Sequence, residues 1–158
     1  MPKALVVYYS LEGNTRFIAE NIAAEIGADI FELKTKKQLP GGFLKYIIGG
    51  FQAVSKKTPE ILPIEKKLED YEMVFIGTPV WAGKYAPAVR TFIKTFNLEG
   101  KNVAIFCCHG DSKERALSLP ASDLGKCKIA GRIDFQQPLD HGKDAAAKEV
   151  RQWAKKMV

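Results

Sequence analysis

Short, nearly continuous apolar runs alternate along this chain with longer stretches in which apolar residues recur at helical spacing. The runs predict strands at residues 4–8, 29–33, 71–76, 102–107 and 128–133. The helical stretches run from a turn at 9–15 to Gly27, and then over 87–96, 113–119 and 143–158. Strands and helices therefore alternate along the whole chain.

This alternation predicts an α/β fold with three layers, in which helices cover both faces of a parallel sheet. We expect five parallel strands in the doubly wound order 2-1-3-4-5. At 158 residues the chain has the length of one domain, so residues 1–158 are interpreted as a single domain. The last helix is expected to follow a cap at Asp140.

The segment 40–52 follows neither period clearly. It occupies the place of the second helix, but it is rich in glycine and aromatic residues. We expect a partly helical connector whose Phe43, Ile47 and Phe51 pack on the core. The alternative is a loop that borders a ligand or a partner surface.

Composition excludes several classes of protein. The net charge is +6, but the lysines are spread along the chain rather than interleaved with aromatic residues on one helix, so nucleic-acid binding is not expected. Three cysteines without a C-x-x-C spacing, and only two histidines, argue against a disulfide framework and a metal centre. Without a membrane span or a signal peptide, a cytoplasmic protein is expected.

The turn at residues 9–15 is a candidate anion site, because it leads from a strand directly into a helix. The first N–H groups of a helix lack intrahelical acceptors and carry partial positive charge. Ser10 and Thr15 add hydroxyl donors, and Gly13 allows close approach of the backbone, so a single phosphate group is the predicted ligand. The alternative is an ordinary tight turn. The three glycines of a dinucleotide fingerprint and the Gly-Lys-Ser/Thr of a P-loop are both missing.

Two further loops are expected at the same edge of the sheet. In a 2-1-3-4-5 sheet the ligand crevice lies where the winding reverses, at the carboxyl ends of the first and third strands. Gly77–Pro87 follows the third strand and carries Trp81, which is suited to stacking on a flat ring. Cys107–Ser112 follows the fourth strand. A phosphate site and an aromatic side chain in one crevice indicate a mononucleotide-like ligand.

With these three loops the chain resembles the flavodoxin family over essentially its whole length. The first loop resembles the family's phosphate signature at Val6, Val7, Tyr8, Ser10, Gly13, Thr15, Ala19 and Ile22. The resemblance implies a flavodoxin-like fold, FMN as the cofactor, and electron transfer to a redox partner protein or a small-molecule acceptor. The cofactor-binding residues that it implies are Ser10, Leu11, Glu12, Gly13, Asn14, Thr15, Thr78, Pro79, Val80, Trp81, Ala82, Gly83, Lys84, Cys108, His109, Gly110 and Asp111.

Some features depart from the family pattern. Glu12 replaces a common hydroxyl residue, which places a carboxylate near the phosphate site unless its side chain points to solvent. The tyrosine that often covers the outer face of the flavin is missing after Asp111, which leaves Trp81 as the main stacking residue and favours access by a substrate. An FMN-dependent NAD(P)H or quinone reductase is therefore an alternative to an electron carrier. Another alternative is an interaction module that has lost its cofactor because Glu12 prevents phosphate binding. A signalling receiver is set aside, because Gly77 and Thr78 stand where it needs an aspartate.

Three smaller expectations concern the same loops. Cys107 and Cys108 are expected to be packing residues. His109 is either a flavin-edge hydrogen-bond partner or an ordinary loop histidine. Positive charge near the two flavin loops is expected to favour the fully reduced flavin more than in acidic flavodoxins. That charge would come from Lys84, His109, Lys113 and Arg115, partly offset by Asp111 and Glu114.

Overall fold

The computed structural model describes residues 2–110 and 119–158. The strands are Ala4–Tyr8 (β1), Asp29–Glu32 (β2), Met73–Trp81 (β3), Lys84–Tyr85 (β4), Asn102–His109 (β5) and Lys128–Gln136 (β6). The α-helices are Asn14–Ile26 (α1), Leu44–Val54 (α2), Pro87–Thr95 (α3) and Lys143–Met157 (α4). All but the last residue of the helix predicted at 113–119 lies outside the described residues.

Five strands form one parallel sheet in the order β2-β1-β3-β5-β6. The predicted order 2-1-3-4-5 is confirmed, since β4 is only a short antiparallel partner at the end of β3. Every residue of β1 is buried, as are the first six of β3. Burial on both faces explains why these strands appear in the sequence as continuous apolar runs rather than alternating ones.

Helices cover both faces of the sheet, so the predicted three layers are confirmed. On one face, Ile18 and Ile22 of α1 and Val150 of α4 pack with Phe75 and Phe106 of the sheet. On the other face, α3 packs on the opposite side chains of β1, β3 and β5. The apolar residues at helical spacing in the first helix therefore form its buried face. None of the described helices is long and apolar enough to span a bilayer.

The prediction that Phe43, Ile47 and Phe51 pack on the core is wrong. Residues 44–54 do form a helix, but these three side chains are 76%, 52% and 66% exposed. The helix turns Gly49 and Ala53 inward instead. A Cβ atom on Gly49 would lie only 3.1 Å from a ring carbon of Trp81, so α2 approaches the sheet too closely for a large side chain.

The cap predicted at Asp140 is also wrong. The helix α4 begins at Lys143, and the residue before it, Gly142, adopts a left-handed backbone with φ of 87°. The Asp140 N–H donates to the carbonyl of Gln137, so Asp140 belongs to the preceding turn. Gly27 does end α1, as predicted, and it takes a left-handed backbone there with φ of 65°.

Candidate functional site

A cavity of about 200 Å³ opens at the carboxyl ends of β1, β3 and β5. Its walls come from the turn after β1, the end of β3, the end of β5, the loop after β6 and one side chain of α2. The lining residues are Ser10, Leu11, Glu12, Asn14, Thr15, Tyr46, Pro79, Val80, Trp81, Cys108, His109, Gly110 and Gln137. A second cavity, of about 250 Å³, shares four of these residues, so the open space continues along Trp81.

The turn after β1 is held in shape by its own polar groups. The N–H of Gly13 donates to Ser10 Oγ over 3.1 Å, and Gly13 takes a left-handed backbone with φ of 96°. Asn14 Oδ1 accepts from the N–H of Leu139 over 3.0 Å, which ties the turn to the loop after β6. The Ser10 hydroxyl thus accepts within the turn and keeps its own hydrogen to donate. The following N–H groups of α1 have no intrahelical acceptor and suit an anion.

Thr15 and Cys108 form the floor of the cavity. Thr15 is 1% exposed and lies close enough to the Cys108 thiol to affect its pKa. Burial raises the pKa of that thiol far above its usual range, despite the opposing effect of Thr15, so the thiol stays protonated. Cys107 and Cys108 are both buried, which confirms the packing prediction, although Cys108 also lines the cavity.

Trp81 forms a wall of the cavity at the tip of a tight hairpin. It pairs with Lys84 across a two-residue turn, in which Ala82 and Gly83 both have positive φ. Its ring meets Tyr9 edge-on, with centroids 5.6 Å apart and planes at 86°. Helix α2 covers part of the indole at Gly49. The indole is therefore fixed in place by backbone and aromatic contacts.

His109 is the last residue of β5, and its side chain is 2% exposed. Nε2 lies 2.9 Å from Asp134 Oδ2 on the neighbouring strand. Nδ1 is buried and has no hydrogen-bond partner among the described residues. A buried polar nitrogen without a partner is costly, and His109 also lines the cavity, so the residue is a candidate to hydrogen-bond a ligand there.

Glu12 points neither at the anion site nor freely into solvent, but toward α2. Its Oε1 accepts a hydrogen bond from Tyr46 Oη over 2.6 Å and lies 3.0 Å from Lys45 Nζ. These two contacts, the Tyr46 bond first, hold the pKa of Glu12 below its usual range. The same contact raises the pKa of Lys45. The negative charge of Glu12 is thus offset locally, which weakens the objection that it would repel a phosphate.

The depressed pKa of Glu12 predicts that acid loosens α2. A carboxylate with a lowered pKa contributes stability above its ordinary range, and this is lost as the pH falls through the lowered value. Because Glu12 is 44% exposed on its side chain, the effect is local and modest. Trp81 packs on α2, so its fluorescence should change as Glu12 is protonated. The measurement is made in a Trp153→Phe background, in which Trp81 is the remaining tryptophan. Glu12→Gln keeps the shape without titrating, and an equal step in that variant would contradict the prediction.

The structure brings together eleven of the seventeen predicted site residues around the cavity. Thr78 instead uses its buried hydroxyl to accept from the N–H of Ala86 over 2.9 Å. Ala82 lines the adjoining cavity, while Gly83 and Lys84 lie in the hairpin outside both. Gly13 shapes the turn rather than lining the cavity. Asp111, like Lys113, Glu114 and Arg115, lies outside the described residues, so the expectation about flavin reduction stays a prediction.

Sequence reasoning missed two residues of the cavity wall. Tyr46 lies on α2, in the segment that was expected to pack on the core, and only the alternative of a ligand-bordering segment pointed to it. Gln137 follows β6, whose end was predicted three residues too early, at Ile133. The N–H of Gln137 donates to the carbonyl of His109. The general rule that loops after parallel strands meet at one edge would have found Gln137 had that strand been predicted at its full length.

Comparison with known proteins agrees with this fold. A flavoprotein from Lactobacillus acidophilus, solved in complex with FMN, shares the fold with a TM-score of 0.74 and 22% identity, over 92% of this chain and 99% of that one. A protein from Bacteroides uniformis has a TM-score of 0.76 and 21% identity over 98% of both chains. Flavodoxin 2 from Bacillus cereus has a TM-score of 0.60 and 16% identity over 98% and 97%. The sequence profile of a flavodoxin family matches residues 3–126, and the chain therefore belongs to the flavodoxin family.

Proposed function

We propose that this chain binds FMN in the cavity at the carboxyl ends of β1, β3 and β5 and acts in electron transfer. The observation that carries the proposal is a cavity lined both by a helix N-terminus and by His109, whose buried Nδ1 has no hydrogen-bond partner among the described residues. The two features fit the two ends of a flavin mononucleotide. The FMN complex of the Lactobacillus acidophilus flavoprotein supports the choice of ligand.

The phosphate end is assigned to the turn from Ser10 to Thr15. The Ser10 hydroxyl hydrogen and the first N–H groups of α1 would donate to the phosphate oxygens, and the positive end of the helix dipole would stabilise the charge. Glu12 is directed to Lys45 and Tyr46, so its carboxylate is already partnered. This arrangement favours a cofactor-binding protein over a module that has lost its cofactor.

The ring end is assigned to Trp81 and His109. Trp81 would stack on the flavin, and His109 Nδ1 would take one hydrogen-bonding group of the ring edge. Asp134 fixes the imidazole through Nε2, so the orientation of Nδ1 is preset. Bound FMN supplies one- and two-electron transfer, while the protein supplies binding, orientation and electrostatics.

A reductase acting on a small molecule is a second candidate, favoured by a larger cavity beside the site. This cavity has a volume of about 480 Å³ and shares Trp81 with the FMN cavity. Lys36 and Lys37 line it together with Tyr9 and residues of α2, so a nicotinamide donor or a quinone could lie close to the flavin. Anaerobic titration of the loaded protein with NADH, NADPH and dithionite separates the two functions. Fast bleaching by a nicotinamide indicates a reductase, and reduction by dithionite alone indicates a carrier.

The cofactor itself is tested by extraction. We expect the purified protein to be yellow and to release FMN in a one-to-one ratio, because one phosphate turn is present and no adenosine-binding fingerprint follows it. Chromatography of the released flavin distinguishes FMN from FAD and riboflavin. Stoichiometric FAD would overturn the choice of cofactor. A colourless protein that takes up no FMN would favour the alternative, an interaction module that has lost its cofactor.

Truncation of the indole should weaken FMN binding. Trp81→Ala removes the stacking partner, and because such contacts contribute roughly 0.5–1.5 kcal/mol beyond burial, we expect a loss of about tenfold in affinity. Titration of the apoprotein with FMN measures this loss, and the quenching of flavin fluorescence should diminish with it. Trp81→Phe is the matched control and should keep most of both. Unchanged affinity and fluorescence in Trp81→Ala would place the flavin elsewhere.

A further inference from the structure

The helix α2 exposes the kind of side chains that an ordinary surface helix buries. It buries only Gly49 and Ala53 and turns its large apolar side chains to solvent. At about 100° per residue, these side chains fall within one arc of roughly 100°. They are Leu44, Ile47, Phe51 and Val54 of α2 and Phe43 directly before it, and we refer to these five side chains as the apolar arc.

Exposed apolar surface is concentrated on this one helix. Among the described residues, nine large hydrophobic side chains are exposed, and six of them lie between Phe43 and Val54. Single exposed hydrophobic residues are common on soluble proteins, but a contiguous group indicates an interaction surface. The packing of α2 on the sheet does not depend on the outward-facing side chains, because Gly49 and Ala53 already provide the close contact.

The segment around the apolar arc is strongly basic. From residue 34 to residue 59 the chain contains six lysines and neither aspartate nor glutamate. Lys56 and Lys57 follow α2 directly and are exposed, and Lys57 lines a shallow cavity together with Phe51. Lys45 is partnered by Glu12, and Lys36 by Glu60 just beyond the segment. Lys56 and Lys57 therefore supply positive charge at the end of the apolar arc that no acidic residue of the same segment offsets.

We propose that α2 docks the protein on an anionic lipid bilayer. The apolar arc would enter the boundary between headgroups and acyl chains, and the flanking lysines would bind lipid phosphates, which is how helices that lie in the membrane surface bind. Each contribution is weak alone, and the two together give stable, reversible attachment. A second copy of the chain fits this surface poorly, because pairing would bring two sets of lysines together.

Docking through α2 would bring the candidate site to the membrane. Tyr46 on this helix hydrogen-bonds Glu12 in the phosphate turn, and Gly49 packs on Trp81. The rim of the cavity would therefore lie beside the headgroups, where a lipid-soluble molecule could reach it. The docking itself does not depend on which cofactor the cavity holds.

Flotation with lipid vesicles tests the proposal on the protein as purified. We expect the protein to float with vesicles of phosphatidylcholine containing about a quarter phosphatidylglycerol, and not with phosphatidylcholine alone. Added salt should weaken the binding. Phe51→Glu places a charge in the middle of the arc and should weaken it by about tenfold or more. Ile30→Glu changes an exposed hydrophobic residue on β2, away from the arc, and is the matched control that should bind like the wild type.

Three results would overturn the proposal. If the wild type does not float with the anionic vesicles, the bilayer is not what the arc binds. If Phe51→Glu and Ile30→Glu bind equally well, the arc takes no part in binding. If the protein sediments as a dimer that Phe51→Glu dissociates, a second copy covers the arc. Circular dichroism of both variants verifies the fold, and the 66% exposure of Phe51 makes unfolding by its substitution unexpected.

Discussion

Replacing Ser10 with aspartate is expected to weaken FMN binding by about two orders of magnitude. An aspartate oxygen can accept the Gly13 N–H as the serine oxygen does, so the turn keeps its shape. The substitution nevertheless adds a negative charge beside the phosphate and removes a hydroxyl donor. Two unit charges about 4 Å apart near a protein surface repel by roughly 4 kcal/mol. A loss of two decades in affinity corresponds to about 3 kcal/mol, which this repulsion can supply.

Two comparisons make this result specific to the phosphate. Ser10→Asn has nearly the same shape without the charge, and should lose no more than about tenfold. Riboflavin has no phosphate, so its binding should change little between the wild type and Ser10→Asp. Titration of the apoproteins with both flavins measures all of these affinities. Equal losses for FMN and riboflavin would mean that Ser10 does not face the phosphate.

Gly77→Ala is expected to destabilise the apoprotein by about 3 kcal/mol, at the upper end of the usual cost of overpacking. Gly77 lies on β3 between its register partners Tyr8 on β1 and Phe106 on β5. A Cβ atom there would lie 2.2 Å from the Phe106 ring and 2.9 Å from the Cβ of Tyr8. The Phe106 side chain is fully buried, so it has no solvent-filled space into which to move.

Urea unfolding of the apoprotein measures this effect without a contribution from bound cofactor. Gly50→Ala is the matched control, because a Cβ atom on Gly50 meets nothing within 4 Å. In the middle of α2, that change should be neutral or stabilise by about 0.5–1 kcal/mol through helix propensity. A similar unfolding midpoint for Gly77→Ala and the wild type would show that the Phe106 ring can relax.

The fold follows from short-range patterns that can be recognised in the sequence. Strands buried on both faces require continuous apolar runs, and a helix on the sheet requires a stripe such as Ile18 and Ile22. The order of the strands then follows from the restricted ways in which such units connect. Loops after parallel strands meet at one edge, so the turn at Ser10, the end of β3 at Trp81 and the end of β5 at His109 could be placed together in advance.

Contacts between distant segments were decided only by the tertiary structure. Glu12 and Tyr46 are 34 positions apart, and His109 and Asp134 are 25 apart. No local pattern predicts which side chain a carboxylate or an imidazole will contact, because that contact depends on how the elements pack. The sequence therefore shows Glu12 as an obstacle to a phosphate, whereas the structure shows it bonded to α2.

The orientation of α2 shows the same limit most clearly. Its composition predicts a buried apolar face, since burial of large side chains is usually the strongest term. The close approach of Trp81 to Gly49 reverses this choice, because only small side chains fit between the helix and the sheet. The pattern along the chain thus predicts only a partly helical connector with apolar side chains, and the position of one indole on another strand decides that these side chains point to solvent.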